Sequence, residues 1–170
     1  MAAAEGLVRH RPTVRAGSLC AMVDRRFFLY TRNNDLTASR RFYTDLVGLE
    51  QIWDTPDSIA YGIDDAVQFS IDHDPDATPT SGWVFQPGWV LGLDVDPHPP
   101  HGIASWSIPL APEEFRAAVD RLQSAGIESL RPEPFWVGYW SYVIQDPMGQ
   151  TVELSDPATP GPRDRTCGPQ

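Results

Sequence analysis

The chain has 170 residues, of which 41% are hydrophobic, and its formal net charge is −10. This composition is enough for one ordinary domain with a buried core. It disfavours a membrane span, because no apolar run approaches the roughly 20 residues that cross a bilayer. It also disfavours nucleic acid and anionic membranes as partners, because both require clustered positive charge.

All 13 basic residues are arginines, which excludes a mechanism that needs lysine, such as Schiff-base formation. The two cysteines, Cys20 and Cys167, fall outside the predicted domain, so the sequence predicts neither a disulfide framework nor a thiolate metal site. The N-terminus has arginines but no apolar stretch behind them, unlike a signal peptide. We therefore expect a cytoplasmic protein.

The predicted domain covers residues 25–156, after a flexible N-terminal arm at residues 1–24 in which Met22 is an alternative start. Its first module, residues 26–72, opens with the alternating strand "RFFLYTR". A helix then begins at Asn34 or Asp35, which can cap its N-terminus, and ends before Gly48. Three predicted strands follow, namely "LEQIWDT" (49–55), "SIAYGI" (58–63) and "AVQFSID" (66–72).

A connector at residues 73–102 leads to a second module at residues 103–156. Within the connector, "WVFQPGWVLGLDV" is apolar enough to form either an extra strand or a flap over a cavity. The second module repeats the pattern of the first, with a strand "IASWSIP" (103–109), a helix at 112–125 that ends at Gly126, and the strands "IESLRPE" (127–133), "GYWSYVIQD" (138–146) and "QTVELSD" (150–156). Residues 157–170 are rich in proline and polar residues, which predicts a disordered tail.

Each half therefore consists of a strand, a helix and three strands. Such a unit buries only one face of its sheet under its own helix. The other face must curve around a ligand or pack on a partner. The sequence thus predicts an α+β fold in which two βαβββ modules form a curved mixed sheet around a cavity, with the helices outside.

Two motifs at opposite ends of this doubled unit carry a family resemblance. They are "NDLTASRRFYTDLVGLE" (34–50) and "DPMGQTVELSD" (146–156). Together they resemble the vicinal oxygen chelate superfamily, which includes glyoxalases, bleomycin-resistance proteins and extradiol dioxygenases. The resemblance implies a divalent metal held between the halves by a histidine on the first strand of each half and a glutamate on the last strand. Such a metal acts as a Lewis acid on two adjacent substrate oxygens.

Glu153 matches the last-strand glutamate of that pattern, but the histidines are missing. The first-strand positions fall on Phe28 and close to Ser105, and the first-half counterpart of Glu153 is Gln68. We therefore expect no cofactor and no metal, since a catalytic metal needs about three good protein ligands. The alternative is a divalent metal bound by Glu153 and His101, with His73 and His98 assigned to loops.

Strand alternation selects the side chains that face the cavity. The predicted ligand-binding residues are Phe28, Tyr30, Arg32, Gln68, Ser70, Ser105, Ser107 and Glu153 on the strands, with Trp140 from a cluster of aromatic residues. Aromatic rings beside carboxylates suit a flat or cationic ligand, through stacking and cation–π contacts. Core and interface packing is the alternative role for any one of the aromatic residues.

Three functions remain open at this point. The first is a metal-free protein of the bleomycin-resistance type that sequesters a planar or cationic small molecule. The second is a lyase- or dioxygenase-like enzyme of the same fold, in which Glu153 serves an atypical metal site or acts as the catalytic acid or base. The third is a non-catalytic partner protein. In each case we expect a twofold homodimer, because an aromatic-rich open sheet would otherwise be exposed.

Overall fold

The computed structural model describes residues 27–63, 66–86, 88–94 and 105–162. The predicted arm at 1–24, His98, His101, both cysteines and the tail beyond Pro162 lie outside the described residues. The first module consists of β1 (Phe27–Asn33), α1 (Leu36–Arg40), a π-helical segment (Arg41–Val47), β2 (Glu50–Asp54), β3 (Ser58–Ile63) and β4 (Val67–His73).

The first helix begins and ends at the predicted residues. The Asp35 side chain accepts hydrogen bonds from the backbone N–H groups of Thr37 and Ala38, at 2.9 and 3.0 Å, and so caps the N-terminus. Gly48 ends the helical segment with a φ of 91°, a left-handed conformation that favours glycine. The sequence did not predict that the α-helix continues as a π-helical segment after Arg40. At the end of this segment the Gly48 N–H donates to the carbonyl of Tyr43, five residues earlier.

The second module consists of β5 (Ser105–Pro109), α2 (Pro112–Ser124), β6 (Phe135–Trp136), β7 (Trp140–Gln145) and β8 (Thr151–Asp156). The strand predicted at 127–133 does not form. Only Ser129 pairs there, in an isolated bridge with Ile144. The Ser129 hydroxyl donates to the Arg131 carbonyl in a local turn, and Pro132 and Pro134 have no backbone N–H to extend a ladder.

The two sheets have the same topology. Their strand orders are β1-β4-β3-β2 and β5-β8-β7-β6, and in each the first and last strands of the module are parallel neighbours. This repetition confirms the predicted α+β fold with two βαβββ modules. Among the described strands, the two sheets do not join into a closed barrel, and β1 and β5 are edge strands.

One hydrophobic core joins the modules on the helix side of both sheets. It includes Phe42, Tyr61 and Phe69 of the first module and Phe115 and Leu154 of the second. The Phe69 and Trp106 rings meet across the boundary with 5.3 Å between their centroids. The modules therefore form one packed body rather than two independent units.

The opposite faces of the two sheets, which we call the inner faces, differ in how they are covered. In the second module, connector residues pack on the sheet in a small cluster around Trp89, Val90 and Val143. The sequence left open whether the connector forms an extra strand or a flap. Its described part shows no strand and lies over the sheet of the second module as turns. In the first module, Phe28 and Tyr30 remain 54% and 56% exposed.

The first residues of the predicted tail contact the second module. The Trp140 indole N–H donates to the Pro160 carbonyl at 3.3 Å, and Gly161 lies against the Trp136 ring, where a Cβ atom would overlap the indole. Within the described part of the chain, neither helix has the length and apolar character of a membrane span.

Candidate ligand-binding site

The inner face of the first module combines aromatic and polar side chains on two parallel strands. The register aligns three pairs of residues: Phe28 with Gln68, Tyr30 with Ser70, and Arg32 with Asp72. Because side chains alternate along a strand, all six project from the same face. We call this surface the module-one face.

A network of polar contacts orients the exposed end of this face. The Tyr30 hydroxyl donates to Asp72 Oδ2 at 3.1 Å. Arg32 is exposed and donates to Asp74 Oδ2, also at 3.1 Å. This pairing offsets the charge of Arg32, so the Asp72 carboxylate is the remaining charged group of the face, on the same surface as the Tyr30 and Phe28 rings.

Gln68 gives the buried end of the face an unused hydrogen-bond acceptor. Its side chain is only 2% exposed. The amide nitrogen donates to Ser70 Oγ at 3.1 Å, but Oε1 is buried without a hydrogen-bond partner among the described residues. A buried polar atom left unpaired is unfavourable, so a donor group of a ligand would be stabilised there.

The inner face of the second module centres on Glu153, which is fully buried. The Ser141 hydroxyl donates to its Oε1 at 2.6 Å, and the Tyr139 hydroxyl approaches its Oε2 at 3.4 Å. Burial and, secondarily, the Glu153 charge raise the pKa of Tyr139 above its ordinary value. The phenol therefore stays protonated and can donate. Beside them, the Ser107 hydroxyl donates to Ser155 Oγ at 3.2 Å.

Several contacts hold the connector on the second module, next to this polar cluster. The Val84 N–H donates to Thr151 Oγ1 at 2.9 Å, and the Gln145 side chain donates to the Gly82 carbonyl at 2.8 Å. Arg131 donates to the carbonyls of Trp89 and Leu91. Because Glu153 itself has no exposed surface, a ligand can reach it only if the residues around it move.

The comparison with protein families decides the membership of the chain. The family described as the Glyoxalase/Bleomycin resistance protein/Dioxygenase superfamily matches residues 28–154. The chain belongs to this superfamily. A search of curated proteins found no match.

Several solved structures share the fold at low sequence identity. A glyoxalase/dioxygenase from Nostoc punctiforme is 16% identical, with 86% of this chain and 98% of that chain covered and a TM-score of 0.58. A lactoylglutathione lyase from Agrobacterium tumefaciens is 17% identical, with 76% and 91% covered and a TM-score of 0.50. An oxidase, ChaP-H2, is 17% identical, with 79% and 94% covered and a TM-score of 0.51. These similarities establish the fold alone.

Many members of this superfamily use a divalent metal, and the described residues do not fit one. Within these residues, no three histidine, cysteine or acidic side chains come together. Phe28 and Ser105 occupy the first-strand positions at which the superfamily pattern has histidines. Both carboxylate oxygens of Glu153 already accept hydrogen bonds from hydroxyl groups. His73 is exposed at the end of β4. His101, the alternative ligand, lies outside the described residues, so the metal-free state stays a prediction.

The structure divides the predicted ligand-binding residues among four places. Phe28, Tyr30, Arg32, Gln68 and Ser70 share the module-one face, while Ser107 and Glu153 lie on the inner face of the second module. Ser105 begins β5 beside a pocket between the modules. Trp140 is not brought to either inner face. It packs against the helix-side core and makes an edge contact with Trp136, with 5.8 Å between ring centroids.

Sequence reasoning missed two polar residues at these sites. The alternation of β4 could have added Asp72 to the module-one face, because it follows Ser70 by two positions. Ser141 required the register between β7 and β8, which the sequence does not show. Its role next to Glu153 became visible only from the pairing of the strands.

Proposed function

We propose that the chain binds a planar, cationic small molecule on the module-one face without a catalytic metal. The observation that carries this proposal is the exposure of Phe28 and Tyr30, each more than half accessible, beside the Asp72 carboxylate. Aromatic side chains normally supply core area. Two neighbouring exposed rings with a carboxylate at their edge instead suit a flat cation, which gains stacking, cation–π and charge contacts together.

The overall charge supports a cationic ligand. Between Phe27 and Asp156 the chain carries 6 arginines and 20 acidic residues. The resulting field attracts cations to the surface and disfavours anions. The unpaired Oε1 of Gln68 adds an acceptor for a ligand N–H at the buried end of the face.

The enzymatic alternative has less support from the geometry. A general acid or base must reach the proton that it transfers. Glu153 is fully buried and is hydrogen-bonded by Ser141 and Tyr139 beneath the connector. Binding on the module-one face needs no such movement of the chain, so we favour a binding protein over an enzyme that uses Glu153.

The proposal is tested with proflavine, a planar cation, by fluorescence anisotropy. Asp72→Asn keeps a hydrogen-bond acceptor for Tyr30 but removes the charge, so we expect about tenfold weaker binding, or about 1.4 kcal/mol. Tyr30→Ala removes the stacking surface and should weaken binding at least as much. Asp45→Asn is the matched control, because Asp45 is exposed on the π-helical segment, and it should change the affinity less than twofold.

Two results would contradict the proposal. One is equal proflavine affinity in the wild type, Asp72→Asn and Tyr30→Ala. The other is equally tight binding of acridine, the uncharged parent ring.

The homodimer and the cytoplasmic location remain part of the proposal. Light scattering at micromolar concentration measures the homodimer directly, and a monomer would remove it.

A further inference from the structure

A pocket of about 300 Å³ lies between the edge strands β1 and β5, where the two modules meet. We call it the seam pocket. Its lining includes Tyr30 and Thr31 from β1, Phe69 from β4, Ser105 and Trp106 from β5, and Gln150 from the segment before β8. Its volume lies at the lower end of the range for ligand pockets, which suits a small molecule or one end of a larger one.

Two polar atoms of the lining are buried and unpaired among the described residues. They are the indole Nε1 of Trp106, which can only donate, and the Oε1 of Gln150, which can only accept. Most buried polar groups in proteins have a hydrogen-bond partner. An unpaired donor and an unpaired acceptor on two residues that line one pocket therefore favour a ligand group that can satisfy both.

Neighbouring contacts fix the positions of both side chains. The Gln150 amide nitrogen donates to Thr31 Oγ1 at 3.2 Å, across the boundary between the modules. That bond leaves Oε1 as the free atom of the amide. The Trp106 ring packs on Phe69 with 5.3 Å between centroids. The unpaired donor and acceptor are thus held by the packing of the two modules.

We infer that the seam pocket binds a neutral amide group, whose carbonyl accepts from Trp106 and whose N–H donates to Gln150. A carboxylate fits poorly, because it offers no donor to Gln150 and the lining contains no cation. An ammonium group offers no acceptor to Trp106. The inference rests on the proposed function, since Tyr30 lines the seam pocket and also forms the module-one face. The amide would be the end of the same flat ligand.

The test uses benzamide as the probe and the tryptophan indole N–H signals in ¹H–¹⁵N NMR spectra as the readout. Loss of one signal in Trp106→Phe assigns that residue. We expect benzamide to shift the Trp106 signal saturably. Acetophenone, which has the carbonyl but no N–H, should bind at least tenfold more weakly, because it leaves Gln150 Oε1 unpaired.

Two variants separate the pocket from general effects on the protein. Gln150→Met should weaken benzamide binding at least tenfold. Gln123→Met is the matched control, because Gln123 is exposed on α2, and it should change the affinity less than twofold. If Gln150→Met fails to give a folded spectrum, Trp106→Phe supplies the same test, because it removes the indole donor and keeps an aromatic ring. Benzamide binding to this variant is followed through the backbone amide signals that shift in the wild type, and the affinity should again fall at least tenfold.

Equal affinities for benzamide and acetophenone would overturn the inference, as would a saturable shift confined to other indole signals. Proflavine titrations of the same proteins distinguish the two proposals. If proflavine binds and its affinity depends on Asp72, but no amide-selective binding is observed, only the seam-pocket inference is wrong. If amide-selective binding is observed, but proflavine binding does not depend on Asp72, the cation proposal is wrong and the seam-pocket inference stands.

Discussion

Glu153 lies at the centre of the second module with no exposed surface, and its surroundings explain how a carboxylate is tolerated there. A buried charge is strongly unfavourable unless hydrogen bonds replace its water. The Ser141 hydroxyl at 2.6 Å supplies one such bond, and the Tyr139 hydroxyl faces the other oxygen at 3.4 Å. We therefore expect Glu153 to contribute to stability through these hydroxyl groups.

Substitutions at Glu153 distinguish this structural role from an exposed one. Glu153→Ala removes the acceptor of two hydroxyl groups and leaves a cavity, so we expect the free energy of unfolding to fall by about 2–4 kcal/mol. Glu153→Gln keeps the shape and one acceptor and should cost less than about 1 kcal/mol. Urea denaturation measures both. Glu128→Ala, at an exposed position, is the control, and equal stability of Glu153→Ala and this control would contradict the role.

Alternation within strands predicted the faces of most site residues but not their surroundings. It placed Phe28, Tyr30 and Gln68 on one face, as the structure does. It could not predict the burial of Glu153, because the covering residues come from a connector about 60 positions earlier in the chain. It also gave no information about Trp140, which was chosen from an aromatic cluster rather than from strand parity and faces the helix-side core.

At the scale of elements, the turn between β7 and β8 anchors the start of the connector. The Thr80 N–H and hydroxyl both donate to the Met148 carbonyl, at 2.7 and 3.0 Å. Gly149 has a φ of 72°, and a Cβ atom there would overlap the Thr80 carbonyl oxygen. Glycine is therefore required at this position both by the left-handed backbone and by the close approach of a second chain segment.

Gly149→Ala should consequently destabilise the protein more than alanine at a glycine with similar backbone geometry. Gly126 provides the comparison, because its φ is 69° and a Cβ atom there meets nothing within 4 Å. We expect Gly126→Ala to cost about 1 kcal/mol and Gly149→Ala more than about 2 kcal/mol in urea denaturation. Equal costs would show that Thr80 and the connector move aside freely.

Local signals predicted the ends of the helices and most of the strands, whereas long-range packing decided the exceptions. Asp35 and Gly48 act within a few residues of the chain, so their roles could be predicted from the sequence. The π-helical segment could not, because it places Phe42 and Tyr43 together in the core and brings the Tyr43 hydroxyl to Asp146, 103 residues later. A π-helical insertion accommodates such a packing demand within an α-helix.

At the scale of the whole molecule, three sets of hydrogen bonds between described residues cross from one module to the other. Arg121 donates to the carbonyls of Leu46 and Val47 at the end of the π-helical segment, at 2.8 and 3.1 Å. The Gln150 amide reaches Thr31. The Tyr43 hydroxyl donates to Asp146 Oδ2 at 2.8 Å in the buried interior. Together with the shared core, these contacts predict that the modules unfold as one unit.

The Asp146 carboxylate also makes this boundary sensitive to pH. Its Oδ1 accepts the backbone N–H groups of Met148 and Gln150, each at 2.9 Å. Burial raises the pKa of Asp146 above its ordinary value, and these hydrogen bonds and the one from Tyr43 oppose that rise without cancelling it. The folded protein therefore binds this proton more tightly than the unfolded chain does.

The sign of the resulting pH dependence follows from linkage. The stabilising effect of the bound proton is complete below the unfolded pKa, near 3.9, and is lost as pH rises through the higher folded pKa. Asp146→Asn stays neutral throughout and can still accept both backbone N–H groups. We expect wild-type stability to fall relative to this variant as pH rises from about 3.5 to 7, by about 1.4 kcal/mol for each unit of the pKa difference.

Urea denaturation across this pH range gives the difference in free energy of unfolding between the two proteins directly. Because both carry the other acidic residues unchanged, their titration cancels in the comparison. Tyr43→Phe sharpens the test, since it removes a hydrogen bond that lowers the Asp146 pKa and should extend the loss of stability to higher pH. A difference that stays constant, or that grows in favour of the wild type as pH rises, would show that Asp146 is not held in a desolvating environment at the boundary between the modules.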